Sequence, residues 1–476
     1  MSGMIRFLRT QRKTDIFLLA VALGCLVATA IQYPLSTTFP AGGDAATHIK
    51  IVQHFTSKPL ATLQDISRSW YPVSYALFSV MSLVPRLSWP MAFSWWMALG
   101  QITSGISLGI FLYRLHGIRA AAIGIGLWAV SPIKLTSFFE DGTMAQLWSL
   151  PWILLFFERL TKGSFPGMIF FSLLAFFSHP ITGLMLLGTL VITIPHLWIG
   201  KFAVSKKDIK MRKHLTISTL GLLIFSIGIL ATKWDIFLIP FTRESAKYIS
   251  ELFKGSAFPW TVASMFGAYT IFKKQKKYPI LIIILGSFYF LSFLLAINDQ
   301  IGIGFWTNRL SPYIVLCIFI GASIGFAEIA KNLGAPIAIT IIASFLLVGI
   351  SSSTFHDNQT IYKRLESPGT YSRIHPSELA AIEWIKENAP PHSYIFTSNK
   401  TRHYEWIPIL SERDWQAVSQ EQIANQKIPH NSNNKYYMLV IFTHKEEIPQ
   451  NILQNPERYR LRYENSGAAI FDVKTI

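Results

Sequence analysis

Two short motifs carry most of the candidate chemistry in this chain. The first is Gly42-Gly43-Asp44-Ala45-Ala46-Thr47-His48. Paired glycines let the backbone turn tightly and approach a ligand. Asp44 and His48 are four apart, so on a helix opening at Asp44 they share one face. A carboxylate there can take a proton from a hydroxyl; its plainer role is to cap the helix 45–56. The second motif is Phe138-Phe139-Glu140-Asp141-Gly142-Thr143. Its adjacent carboxylates, set among aromatic rings, could hold a divalent ion or the hydroxyl pair of a sugar, or Asp141 could cap the next helix. Two further sites stand out, Ser178-His179-Pro180 at a helix break and Trp306-Thr307-Asn308-Arg309. Arginine can grip a phosphate with two parallel hydrogen bonds. Its simpler alternatives are to snorkel at a membrane interface or to pair with Asp299.

The elements that must position these residues are membrane helices. Of the 476 residues, 51% are hydrophobic and only 14% charged, against about 25% charged in a soluble globular chain. That deficit excludes disorder, coiled coil and an ordinary cytosolic enzyme. Cys25 and Cys317 both lie in apolar runs, so no disulfide framework or cysteine metal site is expected. The net charge of +17 is not that of a nucleic-acid binder. Residues 353–476 hold 14 basic and 14 acidic side chains, so the whole excess sits in the apolar part.

A membrane helix needs about 20 mostly apolar residues. Eleven spans are expected, at 15–33, 91–113, 118–135, 144–158, 165–178, 180–200, 215–232, 258–272, 278–297, 311–329 and 335–352. The stretch 71–85, interrupted by Pro72 and Pro85, reads as an interfacial or re-entrant helix. With a cytoplasmic N-terminus, the inner loops carry 19 basic residues against 4 acidic ones: Asp15, Glu158, Asp208 and Glu328. The outer loops carry 10 against 8. Basic loops stay inside, so the C-terminus is expected outside. Ala28-Thr29-Ala30 has the form of a signal-peptide cleavage site. However, the apolar run continues through Ile31 and Tyr33, and the odd span count needs this helix.

The expected architecture is thus an α-helical polytopic membrane bundle, residues 1–352, with outer loop 34–90 containing interfacial helices. A small extracytoplasmic α/β domain follows at 353–476. In it, His375-Pro376-Ser377-Glu378 opens a capped amphipathic helix. Strands are expected at Tyr394–Thr397, Tyr436–Phe442, Tyr459–Tyr463 and Ala468–Val473, with a turn at Asn465-Ser466-Gly467. Under this one topology all four candidate sites fall on the outer face.

This layout, with an aspartate after helix 1, an acidic pair in the next outer loop and an outer C-terminal domain, resembles the GT-C superfamily of membrane glycosyltransferases. Gly43-Asp44…His48, Tyr71-Pro72 with Tyr75, and Ser178-His179-Pro180 resemble the branch that includes the 6-pyruvoyl-tetrahydropterin-synthase-related membrane proteins. So do Glu383-Trp384-Ile385-Lys386-Glu387-Asn388, Trp406-Ile407-Pro408 and Ser411-Glu412-Arg413. The chain lacks the Trp-Trp-Asp motif of oligosaccharyltransferases; its Trp95-Trp96-Met97 lies within a span. Transfer to protein asparagine is therefore not implied.

The resemblance implies inverting transfer of a sugar from a polyprenyl-phosphate donor to a glycan, lipid or protein acceptor on the outer face. Asp44 would be the general base and Arg309 would hold the departing phosphate. Glu140 and Asp141 would orient the acceptor or hold Mg²⁺ or Mn²⁺, and His48 and His179 would contact substrate. Beyond that ion the residues point to no cofactor. The rival readings are a transporter or lipid flippase, which would show internal repeats and paired broken helices, and a membrane-anchored binding protein, which needs no carboxylates at the membrane boundary.

Overall fold

The computed structural model describes residues 13–36, 44–57, 71–130, 143–199, scattered positions between 209 and 223, 257–273, 279–296, 307–332, 374, 376–398, 406–419, 422, 436–443 and 447–474. Most of the expected span 215–232, the whole of 335–352, and the Glu140–Asp141 pair lie outside the described residues.

Nine of the expected spans correspond to helices among the described residues. These are α1 (Lys13–Ser36), α4 (Trp89–His116), α5 (Ile118–Val130), α6 (Met144–Lys162), α7 (Phe165–Ser178), α8 (Pro180–Ile199), α9 (Ala257–Lys273), α10 (Pro279–Ala296) and α11 (Thr307–Asn332). Three are long and apolar enough to cross a membrane by length and composition, over Lys13–Gln32, Trp89–His116 and Pro312–Lys331. Between α1 and α4 lie α2 (Ala45–Ser57), α3 (Pro72–Ser79) and a 3₁₀ turn, Val80–Leu83. At 1.5 Å per residue the 8-residue α3 is about 12 Å long. That is shorter than a hydrocarbon core of about 30 Å.

Proline and glycine set the helix boundaries. Gly117 ends α4 at φ 93°, a conformation that a side chain would strain. Pro151 sits inside α6 and has no N–H, so the Leu147 carbonyl one turn back loses its helical donor. Ser104 of α4 donates to that carbonyl instead, at 3.3 Å. Pro180 forces His179 into extended backbone, φ −156° and ψ 112°, and so separates α7 from α8. The helices α9 and α11 pack so closely that a Cβ at Gly267 would overlap the Gly321 carbonyl.

The end of the bundle where α1 begins is tied by ion pairs. Arg119 of α5 donates through Nε and Nη2 to Asp15 of α1, at 3.1 and 3.0 Å. Buried Glu158 of α6 meets Lys162 at 2.7 Å, Arg159 at 3.3 Å and Arg114 of α4 at 3.5 Å. Glu328 of α11 lies 2.9 Å from His116 of α4.

The C-terminal unit holds α12 (Pro376–Asn388), β1 (Ser393–Ser398), α13 (Ile407–Ser411), β2 (Asp414–Val418), β3 (Tyr436–Ile441), α14 (Gln450–Leu453), β4 (Tyr459–Glu464) and β5 (Ala469–Val473). The sheet runs β2-β1-β3-β5-β4. The β1 strand is parallel to β2 and β3, while β5 is antiparallel to β3 and β4. Strand alternation divides the core. Met438 and Val440 face the layer that holds Ala381, Ile382 and Ile385 of α12, whereas Leu439, Ile441 and Phe471 pack with Ile452 and Tyr459. The expected turn is present: Asn465 Oδ1 accepts from the amides of Gly467 and Ala468. Strand β2 was not anticipated, because Asp414-Trp415-Gln416-Ala417-Val418 is short and lacks clean alternation.

The tail motifs are used by the fold. Arg413 donates to the Lys386 and Ala389 carbonyls, at 3.1 and 3.0 Å, and so caps the C-terminal end of α12. Trp384 stacks on Tyr463, with centroids 5.4 Å apart. The α13 helix rests on α2, and Lys50 Nζ lies 5.1 Å from the Trp415 ring centroid. The α/β unit thus touches the helix that carries Asp44 and His48.

Candidate active site

Helix α2 opens at Asp44, whose carbonyl accepts the His48 amide at 3.0 Å. Asp44 therefore stands at the N-cap position of α2, and it is also part of a larger cluster. One turn on, buried His48 stacks parallel to Phe93 of α4, with centroids 6.3 Å apart. His48 Nδ1 lies 2.9 Å from the Tyr75 hydroxyl of α3. Burial, with the Tyr71 phenol and the Asp44 carboxylate nearby, pushes the Tyr75 phenol far above its ordinary range. Tyr75 therefore stays protonated. Helix α3 is held in place by Phe78, which packs on Trp89, Phe93 and Trp96 of α4.

Tyr71 links the two histidines. It meets His48 edge-on at 5.9 Å and stacks on His179 at 5.5 Å and 14°. The break at Pro180 brings His179 to this point, and it leaves carbonyls of the last α7 turn without helical partners. One of these, on Ser178, accepts from Ser74 of α3 at 3.0 Å. Trp152 of α6 donates to the Ser178 hydroxyl at 2.9 Å.

Behind His179 lies a second polar layer. His179 Nδ1 is 3.1 Å from Thr182 Oγ1. Thr182 also bonds Ser149 of α6 at 2.6 Å and the Tyr313 hydroxyl of α11. Ser149 in turn donates to the Gln146 backbone carbonyl at 2.6 Å. Arg309 lies in the first turn of α11, four residues before Tyr313, so its backbone sits about 6 Å along the axis from the Tyr313 backbone.

The structure therefore joins Asp44 and His48, Tyr71 and Tyr75, and His179, from three separate stretches of the chain. Glu140 and Asp141 are outside the described residues, and the Arg309 side chain is not described. Among the described residues, no group of three His, Cys, Asp or Glu side chains could hold a metal ion. Sequence reasoning missed Ser149, Gln146, Thr182 and Tyr313. The available signal was their polarity inside apolar spans, where an unpaired hydroxyl or amide is costly. The arrangement offers one carboxylate beside imidazole, phenol and hydroxyl groups. Such a set can orient a polyol and take a proton from it.

No protein-family model matches the chain, and no curated protein matches it in sequence. Solved structures do match. ArnT from Cupriavidus metallidurans bound to undecaprenyl phosphate aligns at a TM-score of 0.59 and 11% identity, covering 96% of this chain and 97% of that one. The oligosaccharyltransferase AglB from Archaeoglobus fulgidus, in complex with an inhibitory peptide and a dolichol-phosphate, aligns at 0.54 and 12%, covering 97% and 74%. The Archaeoglobus fulgidus oligosaccharyltransferase in complex with Zn and sulfate aligns at 0.54 and 13%, covering 95% and 72%. At such identity the likeness is one of fold.

Proposed function

We propose, on the premise that this chain has the GT-C fold, that it is an integral-membrane inverting glycosyltransferase. It moves a sugar from a polyprenyl-phosphate donor to a glycan, lipid or protein acceptor. The observation that carries this reading is the convergence of Asp44, His48, Tyr75, Tyr71 and His179 where α2, α3 and the α7–α8 break meet. Solved proteins of this fold hold undecaprenyl phosphate and dolichol-phosphate, which supports a lipid-phosphate donor. The narrower branch assignment rests on the motifs alone. The active site would face the extracytoplasmic side of a prokaryotic plasma membrane, with the N-terminus cytoplasmic. Residues 1–352 would form the bundle and 353–476 the outer domain.

The chemistry needs three things. The acceptor hydroxyl must lose a proton as it attacks the anomeric carbon, and Asp44 takes it. The departing lipid phosphate carries negative charge, and Arg309 meets it. A phosphate leaves without being protonated, so no partner acid is required, unlike the acid–base pair of glycoside hydrolases. His48 and His179 line the site. Glu140 and Asp141 orient the acceptor, and a Mg²⁺ or Mn²⁺ ion held there would add positive charge.

Transfer from a polyprenyl-phosphate sugar by the purified full chain tests this reading. Asp44→Asn keeps the side-chain size and removes the base, so transfer should fall about 10²–10⁴-fold with donor binding little changed. Arg309→Ala should weaken donor binding and also slow transfer. A folded Asp44→Asn protein that transfers at the wild-type rate would leave Asp44 as a helix cap alone.

A further inference from the structure

Each hydroxyl in the buried network owns one proton, and counting those protons assigns the histidine tautomers. Ser149 Oγ donates to the Gln146 carbonyl at 2.6 Å, and a carbonyl can only accept. Its proton is committed there. The 2.6 Å contact between Ser149 and Thr182 therefore uses the Thr182 proton. Thr182 has none left, so Tyr313 donates to it, and so does Nδ1 of His179. His179 thus carries a proton on Nδ1.

At His48 the count gives the opposite result. The buried Tyr75 hydroxyl has Nδ1 of His48 as its hydrogen-bond partner, at 2.9 Å. A buried phenol proton without an acceptor is costly, so Tyr75 donates and His48 Nδ1 accepts. The His48 proton then sits on Nε2.

We propose that His48 and His179 are locked in opposite tautomers, His48 by Tyr75 and His179 by the Ser149–Thr182 pair, so that at Nε2 His48 donates and His179 accepts. Whatever lies against Nε2 of His48 must accept a hydrogen bond, and whatever lies against Nε2 of His179 must donate one. Both rings pack on Tyr71, with centroids 5.9 and 5.5 Å away. His179 can also take up a proton at Nε2 without breaking its Thr182 bond, whereas His48 can take up a second proton only at Nδ1, by giving up the bond from Tyr75. The ligand class rests on the transferase reading: in a lipid-linked sugar phosphate, an anionic phosphate oxygen suits His48 and a sugar or acceptor hydroxyl suits His179. Tyr75 and Thr182 are then positioning residues, acting through the imidazoles.

Ring-¹⁵N-histidine NMR of the full chain in lipid nanodiscs tests the assignment, with His48→Gln and His179→Gln identifying the two signals. His48 should show a bare Nδ1 and His179 a bare Nε2. Tyr75→Phe should move only the His48 signals. Ser149→Ala frees the Thr182 proton to turn toward His179, which should flip His179 toward its Nε2–H form. Should that variant fail to fold, Thr182→Val should move only the His179 signals. The same tautomer at both rings, or a His179 spectrum indifferent to Ser149 and Thr182, overturns the proposal. With undecaprenyl phosphate as probe, His48→Phe should bind about tenfold more weakly, the loss of one hydrogen bond to a charged group. His48→Gln, which keeps an N–H donor, should recover most of that affinity, and no recovery overturns the role given to His48. A wild-type chain that does not bind undecaprenyl phosphate removes the transferase reading, while the spectra still decide the tautomers.

Discussion

Where α1 begins, the bundle buries carboxylates against cations: Asp15 with Arg119, and Glu158 with Arg114, Arg159 and Lys162. At the other end it joins helices through hydroxyl, phenol and imidazole groups, with Tyr75 on His48 and Thr182 on His179, Ser149 and Tyr313. On the proposed transferase reading, the difference separates polarity that holds the fold from polarity that meets substrate. Three of the four acidic residues expected in the inner loops are described, and each meets a basic side chain that ties helices or a helical turn together. Hydroxyls and imidazoles instead hold helices together through hydrogen bonds, and on that reading their donors and acceptors would serve a sugar. Asp44 lies beside the second kind of network, and its charge is felt at Tyr75.

The sharpest way to break this contrast is to invert the molecule. With single cysteines introduced, Asn399→Cys should react fully with an impermeant reagent added from outside, and Lys206→Cys should be spared. The reverse labelling would move the hydroxyl and imidazole network to the cytoplasmic side and end the donor argument. Next in size is a paired comparison. Asp44→Asn should cost about 10²–10⁴-fold in transfer with an unchanged melting temperature. Glu158→Ala should do the opposite. It strands three cations around a buried position, although each is at least a third exposed and can turn to water. A loss of about 2 kcal/mol is expected, below the 3–5 typical of fully buried pairs, with transfer per folded molecule preserved. A smaller effect is expected in the α/β unit. Arg413→Ala removes two hydrogen bonds at the C-terminal end of α12 and should cost about 1 kcal/mol in the melting transition. The smallest belongs to Lys386→Ala. Its pairing with Glu412 at 2.6 Å is solvent-exposed, so less than about 0.5 kcal/mol should be lost.

Much of the fold was legible because its signals are local. Apolar runs set the nine described helices that match expected spans, prolines and Gly117 set their boundaries, and alternation marked β1, β3, β4 and β5. Strand β2 escaped because a short edge strand needs only one partner and little alternation. Asp44, His48 and His179 could be singled out from residue type and spacing, and Tyr71 and Tyr75 entered through the resemblance. Nothing in the sequence says that Tyr75 bonds His48, or that Tyr71 lies between two histidines 131 positions apart. Thr182, Ser149 and Tyr313 looked like incidental polar residues within apolar helices. Their meeting depends on the crossing of α6, α8 and α11 and on the break at Pro180, which are properties of packing between helices. By itself the sequence determined which segments must leave water and which loops carry positive charge, because burial cost and loop charge are summed residue by residue along the chain. Tertiary structure decided which polar groups meet and which atom of each histidine holds the proton, because a hydrogen bond requires two specific groups within about 3 Å.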